Sequence, residues 1–314
     1  MSVSNGTRMR TQHTHSVDVR QQYERVLAGA PVRSRFIGVG EGTVHLLEKG
    51  GGRPLVLLPG GASLAAFFLP LLDELDGVRA LAPDRPGQGL SDPVDLGRDR
   101  FRETAVAWVD DLLGALDLGT TALLGHSGGA VWALWYALAH PDRVSRLVLV
   151  APPALPNVRC PLPLRVVGTP GLGSLLSRLV PPTPKSLLRF AGVMGEGATL
   201  AGYPEFLDLW VATGRDPIAD RAAQDEHRAL LSPFALVTRS AFRRGTRVRT
   251  DDLRRLAVPT LLVWGERDPL ANTSIARALA ELIPDARLRT LPTGHMPWLG
   301  QPARAAAAVA DFLR

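Results

Sequence analysis

The chain has 314 residues, 46% hydrophobic and 21% charged, enough apolar material for a buried core and too much for a globally disordered chain. Its net charge is +6, but Lys49 and Lys185 are the only lysines, so 34 of the 36 basic residues are arginines, scattered along the sequence. A single cysteine, Cys160, excludes an intrachain disulfide and a Cys-based metal site.

No HExxH, CxxC, GxxxxGK or GxGxxG is present, which removes the common zinc, P-loop and dinucleotide classes, so no metal and no cofactor is expected. The first 26 residues lack the apolar core of a secretory signal, and no apolar run approaches the ~18 residues needed to cross a bilayer. The expectation is a soluble cytoplasmic protein with no membrane span and no nucleic-acid partner. The one dense basic run, "RSAFRRGTRVRTDDLRR" (239–255), reads as a solvated face.

Residues 1–16 are polar and are expected to fray, and 17–28 form a short helix; together 1–34 make an N-terminal tail. "RFIGVG" and "TVHLLEKG" read as two strands around the turn at 40–42. "PLVLLPG" (54–60) is a continuous apolar run of strand length, as expected of a strand buried on both faces. Strands at 78–84, 120–127 and 144–152 then alternate with helical segments at "AAFFLPLLDEL", 101–118 and "GAVWALWYALAH". The alternation returns in "PTLLVWGERD", "SIARALAELI", "ARLRTLPT" and "PARAAAAVADFLR". Strands alternating with 10–15-residue helices predict an α/β fold with a mostly parallel eight-stranded sheet and helices on both faces.

Between Pro152 and Arg249 the alternation stops and helical segments replace it. We therefore read 35–151 and 250–314 as one core, and 152–249 as a helical cap inserted on the ligand-binding side.

Gly125-His126-Ser127-Gly128-Gly129 fits G-x-S-x-G where a buried strand meets a helix. That context predicts a nucleophile elbow, a sharp turn that lifts the serine hydroxyl clear of the sheet. A helix N-terminus there favours developing negative charge. A serine needs a base. Of seven histidines, His295 lies in a loop after the last strand, bracketed by glycine and proline; His126 is expected to point to the other side of the strand end. The base needs an acid, and the strand ending "LLVW" runs into Gly265-Glu266-Arg267-Asp268-Pro269. Asp268 is the candidate, with Glu266 the surface alternative. The order Ser127, Asp268, His295 is that of an α/β-hydrolase.

Five motifs in order carry a resemblance: "LLPGGAS", "DRPGQGLSD" (84–92), "GHSGG", "WGERDPL" and "TGHMPW". From about Arg35 onward the chain resembles the α/β-hydrolase superfamily, in its lid-bearing serine-esterase-like branch. The resemblance implies that the backbone N–H groups of Gly61 and Gly128 form the oxyanion hole, and that Asp84 and Gly89 hold a loop shape. It also marks a departure: Pro59-Gly60 stands where the family commonly has His-Gly, and proline cannot donate a hydrogen bond.

The function expected is hydrolysis of a small apolar carboxylic ester through an acyl-enzyme. Alternatives on the same residues are C–C bond, lactone or thioester hydrolysis; "PGGASLAAFF" lacks the glycine-proline-glycine loop and nearby cations usual for ring-cleavage C–C hydrolases. A non-hydrolytic ligand-binding protein on the same fold is the remaining class. Phe190, Met194, Phe206 and Trp210 from the cap, with Met296 beside His295, are candidate pocket residues, whereas Trp132 and Trp135 are expected in the core.

Overall fold

The computed structural model describes residues 15–97, 99–167, 169, 171–179, 181–238 and 241–314. The expected fraying of residues 1–14 and the first two residues of the basic run at 239–255 lie outside these. In chain order the core elements are α1 (Val17–Leu27), β1 (Arg33–Val39), β2 (Gly42–Gly50), β3 (Arg53–Leu58), α2 (Leu69–Glu74), β4 (Val78–Pro83), α3 (Phe101–Ala115), β5 (Thr121–His126), α4 (Gly128–Ala139) and β6 (Val144–Val150). An inserted block follows with α5 (Leu162–Val167), α6 (Leu172–Leu179), α7 (Pro184–Val193), α8 (Gly197–Leu200), α9 (Pro204–Arg215) and α10 (Pro217–Leu230). The core resumes with α11 (Thr250–Arg254), β7 (Thr260–Gly265), α12 (Thr273–Leu282), β8 (Ala286–Leu291), α13 (Pro297–Gly300) and α14 (Pro302–Leu313).

The strands form one sheet in the order β1-β2-β4-β3-β5-β6-β7-β8. β1 and β2, and β2 and β4, pair antiparallel; every other pair is parallel. From β3 the chain steps one way to β4 and then crosses to β5 on the other side, which makes the β3–β5 seam a switch point where a crevice opens. Leu58 pairs with Gly125 across that seam, so the loop after β3 and the turn after β5 are neighbours.

Burial follows from these positions. Every residue of β5 and β7 is buried, as for strands covered on both faces. α4 is buried almost all round because it packs between the sheet and α3, and Trp108, Phe101, Trp132 and Trp135 meet there edge-to-face. Edge strand β8 alternates between half-buried and exposed residues over its first four positions and ends on buried Leu291.

Two expectations are corrected. The described end of the N-terminal tail is not frayed: His15 is buried, and α1 packs on α9 while Tyr23 donates to Asp84 at 2.9 Å. The run "IADRAAQDEHRALLSPFALVTRSAF" (218–242) has helical spacing throughout, yet the helix it forms stops at Leu230. The chain then turns, around Pro233, and Leu231 bridges to Phe242. Among the described residues no helix is long and apolar enough to cross a membrane. In the basic run, Arg243 and Arg247 donate to backbone carbonyls and Arg254 and Arg255 pair with Asp251 and Asp252, so these cations are engaged locally.

Candidate active site

Ser127 sits between β5 and α4 with φ 49° and ψ −120°, a backbone conformation that L-residues avoid. The glycines around it have a steric cause. A methyl on Gly125 would strike the backbone of Ala130, and one on Gly129 would strike the carbonyls of Leu58 and Pro59. The turn is pinned by Ser127 N–H donating to Val150 O at 2.9 Å. Gly128 N–H opens α4 and has no helical carbonyl to meet.

His295 lies in the loop after β8, buried, and its Nδ1 meets Asp268 Oδ2 at 2.9 Å. Asp268 Oδ1 accepts the N–H of Leu270 at 2.9 Å, so both carboxylate oxygens are held. Because a carboxylate only accepts, Nδ1 carries the hydrogen and Nε2 is left as the basic nitrogen. Glu266 is exposed to solvent. Gly265 and Gly294 pack backbone to backbone, and Gly294 also touches Gly195 of the inserted block. No side chain fits in that stack, which is how the His295 loop comes to lie against the end of β7.

Ser127 and His295 line one cleft with Gly61, Gly128, Phe190, Met194, Trp210 and Met296. Phe206 is absent from this lining, contrary to the sequence expectation. Its ring stacks on Tyr203 and packs against Phe67, one layer behind the cleft wall. A methyl on Gly128 would lie 3.1 Å from the amide nitrogen of Gly61, so the two amides expected to bind an oxyanion are adjacent.

His126 does not point away. Its ring lies 4.8 Å from that of His295 and edge-on to Trp298, and it lines the cleft. Nε2 donates to the backbone carbonyl of His295 at 3.0 Å. Burial, then the neighbouring His295, push its pKa well below the ordinary histidine value, so it stays neutral. Gly60 rests against this ring: a methyl there would lie 3.0 Å from His126 Nδ1. The loop after β3, where Pro59 stands in place of the histidine common in the family, thus lies against a side chain of β5.

Three residues near the cleft were not legible as site residues. Arg85 and Glu226 form a buried bidentate pair at 2.7 and 3.0 Å, and Glu226 lines the cleft. Glu196, buried in the inserted block, accepts the N–H of Met296 at 2.8 Å. Only the spacing of Arg85 after Asp84 in "DRPGQGLSD" hinted at a role. Asp84 itself, buried, accepts from Tyr23, Ala65 and Leu90 and bonds His45, which holds the loop after β4 in shape. Among the described residues no cluster of His, Cys, Asp or Glu suited to a metal occurs.

The alpha/beta hydrolase family model matches residues 55–309. The chain is 28% identical over 286 residues to the 2-hydroxymuconate semialdehyde hydrolase of Pseudomonas sp. (strain CF600), covering 86% of this chain and 89% of that protein. Among solved structures, a carboxylesterase from Bacillus subtilis superposes with TM-score 0.68 at 21% identity over 94% of this chain and 96% of that one. A 2-hydroxy-6-oxo-6-phenylhexa-2,4-dienoate hydrolase from Rhodococcus superposes with TM-score 0.72 at 18% identity, over 90% of this chain and 99% of that one. With its motif order, sheet topology and matched family model, the chain belongs to the alpha/beta hydrolase family and is one of its enzymes.

Proposed function

We propose that the protein is a carboxylic ester hydrolase working through an acyl-enzyme on Ser127, His295 and Asp268. The observation that carries this reading is the 2.9 Å bond from His295 to Asp268, which leaves the basic Nε2 free in the cleft that half-buried Ser127 also lines. Ser127 Oγ attacks the ester carbonyl carbon while His295 Nε2 takes its proton, and Asp268 stabilises the imidazolium. The carbonyl oxygen becomes an oxyanion, held by the N–H groups of Gly61 and Gly128. The C–O bond then breaks and the leaving alkoxide takes the proton from His295. Water, deprotonated by His295, attacks the acyl-enzyme and releases the acid. The helices between Pro152 and Arg249 act as a cap over this cleft, supplying Phe190, Met194 and Trp210 to its wall. The substrate is a small molecule with an apolar acyl or alcohol part.

The relative from Pseudomonas is named for a semialdehyde, which is not an ester, and this favours one second reading: hydrolysis of a C–C bond beside a carbonyl on the same three residues. Arg159, exposed where it lines the cleft, would then meet an acid group of the substrate. Turnover of p-nitrophenyl esters, with covalent labelling of Ser127 by an organophosphonate, tests the ester reading. Labelling without ester turnover, together with cleavage of a vinylogous diketone acid, would replace it with the second.

A further inference from the structure

α10 of the cap turns two neighbouring hydrogen-bond acceptors into an otherwise largely apolar cleft: the Glu226 carboxylate and the His227 imidazole. Glu226 is 6% exposed, and Arg85 grips it with Nη1 on Oε1 at 2.7 Å and Nη2 on Oε2 at 3.0 Å. Each carboxylate oxygen has a second lone pair that this fork does not use. The place of the carboxylate is specific. A methyl on Gly128 would lie 3.2 Å from Glu226 Oε1 and 3.1 Å from Gly61 N, and one on Gly61 would lie 3.5 Å from Oε2. Glu226 therefore lies beside the backbones of Gly61 and Gly128, whose amides hold the carbonyl oxygen in the ester-hydrolase reading. His227 Nδ1 donates to Ala223 O at 2.7 Å, so the neutral ring presents Nε2 as an acceptor.

A buried ion pair adds little stability beyond that of two well-packed apolar residues, because both charges lose their water. A carboxylate beside a developing oxyanion also opposes the reaction electrostatically, and Arg85 is needed to cancel it. Stability and transition-state binding thus both argue against a carboxylate here, while recognition of a donor argues for one. The Arg85–Glu226 pair has no net charge, so it suits a neutral donor better than an ammonium group.

We propose that Glu226 is a specificity-determining residue that accepts a hydrogen bond from a hydroxyl on the first or second carbon beyond the scissile carbonyl, with Arg85 holding the carboxylate ionised and oriented. This rests on the ester-hydrolase reading and narrows its substrate class to hydroxyacyl esters. His227 Nε2 serves a donor farther along the same substrate.

The test compares ethyl butanoate with ethyl 2-hydroxybutanoate, ethyl 3-hydroxybutanoate and ethyl 3-aminobutanoate, following acid release in wild type, Glu226→Gln and the apolar double variant Arg85→Met/Glu226→Leu. In wild type, kcat/KM for at least one hydroxy ester exceeds that for the butanoate by about tenfold, the scale of one hydrogen bond to a charged group. The ratio falls toward unity in Glu226→Gln and further in the double variant, which leaves no charge stranded. Since the ratio is taken within each variant, a general loss of folded enzyme does not move it. An unchanged ratio in both variants would reduce the pair to a clasp between cap and core, and a preference for the amino ester would overturn the hydroxyl assignment. Organophosphonate labelling without turnover of any of the four esters overturns the ester reading and this proposal with it, whereas turnover of all four at similar rates overturns this proposal alone.

Discussion

Glu196 accepts the backbone N–H of Met296 at 2.8 Å, so the loop that carries His295 is held by the inserted block as well as by the sheet. The adjoining Met194 carbonyl accepts His295 N–H at 3.0 Å, which adds a second tie to the same loop. Burial pushes the Glu196 carboxyl pKa up, against the opposing pull of Met296 N–H. A buried amide can replace such a carboxyl, but nothing small can. Glu196→Gln should retain activity, whereas Glu196→Ala should leave the Met296 N–H unpaired, cost about 1–3 kcal/mol of stability and lower kcat. Thermal melts and ester kinetics on the two variants check this, and equal behaviour of both would refute the tie.

The strained backbone of Ser127 separates chemistry from stability. Ser127→Ala should lower kcat by roughly 10⁴–10⁶ with the melting temperature near that of wild type. Ser127→Gly should be equally inactive yet more stable, by about 1 kcal/mol or more, because glycine accepts φ 49° without strain. A glycine variant less stable than the alanine variant would mean that the turn stores no strain.

Asp268 and Glu266 lie two residues apart, one buried on His295 and one in solvent. Asp268→Asn should cut kcat by about 10⁴, since the amide upsets the tautomer that leaves Nε2 basic. Glu266→Gln should change it less than about twofold. Similar small losses in the two variants would place the acid elsewhere.

The pattern of what was legible follows from the range of each interaction. Buried strands, the elbow turn and the order of Ser127, Asp268 and His295 rest on runs of a few residues, so periodicity and glycine spacing reveal them. The Arg85–Glu226 pair spans 141 positions, and His15 meets Asp216 across 201. Such contacts depend on how the inserted helices settle on the core, which no local pattern encodes. Phe206 was misread for a related reason: helical spacing gives a buried face, but not which buried rings face the cleft and which face their own helix bundle. His126 was misread because strand alternation stops applying where the chain turns at Ser127.

His15 ties the chain's N-terminal region to the start of α10 in the inserted block, and the tie's pH dependence has a definite sign. Nδ1 meets Asp216 Oδ1 at 3.1 Å and Nε2 meets the Ser91 carbonyl at 2.9 Å, two acceptors that together favour the doubly protonated ring. Burial opposes that charge, but Asp216, the Ser91 carbonyl and the more distant Asp84 raise the His15 pKa. Burial likewise opposes ionisation of Asp216, yet His15 and the N–H groups of Ser16 and Ala219 hold its pKa below the ordinary value. The histidine's contribution is complete below its unfolded value of about 6.5 and fades as pH rises through the raised folded value; the aspartate's holds above about 4 and fades on acidification. The tie should therefore be strongest between about pH 4 and 6.5. His15→Gln should lower the melting temperature most at pH 5.5 and least at pH 8.5, and a loss that does not vary with pH would count against it.

The cleft wall gives the final expectation. Phe67, Phe190, Met194, Trp210, Leu230 and Phe242 make most of it apolar, and Trp210 packs edge-on to both Phe67 and Phe190. Each added methylene of an acyl chain should gain binding at about 25 cal/mol per Å² of apolar surface buried, until the chain meets this aromatic wall. Beyond that length further methylenes must displace packed rings, which costs about 1–3 kcal/mol. Across a series of p-nitrophenyl esters, kcat/KM should rise and then fall with chain length. Trp210→Ala opens the wall from the cap side, so it should shift the optimum toward longer chains while leaving the rate on acetate nearly unchanged. An optimum that stays in place in Trp210→Ala, or a wild-type series that rises without a maximum, would show that the cap helices do not bound the acyl site.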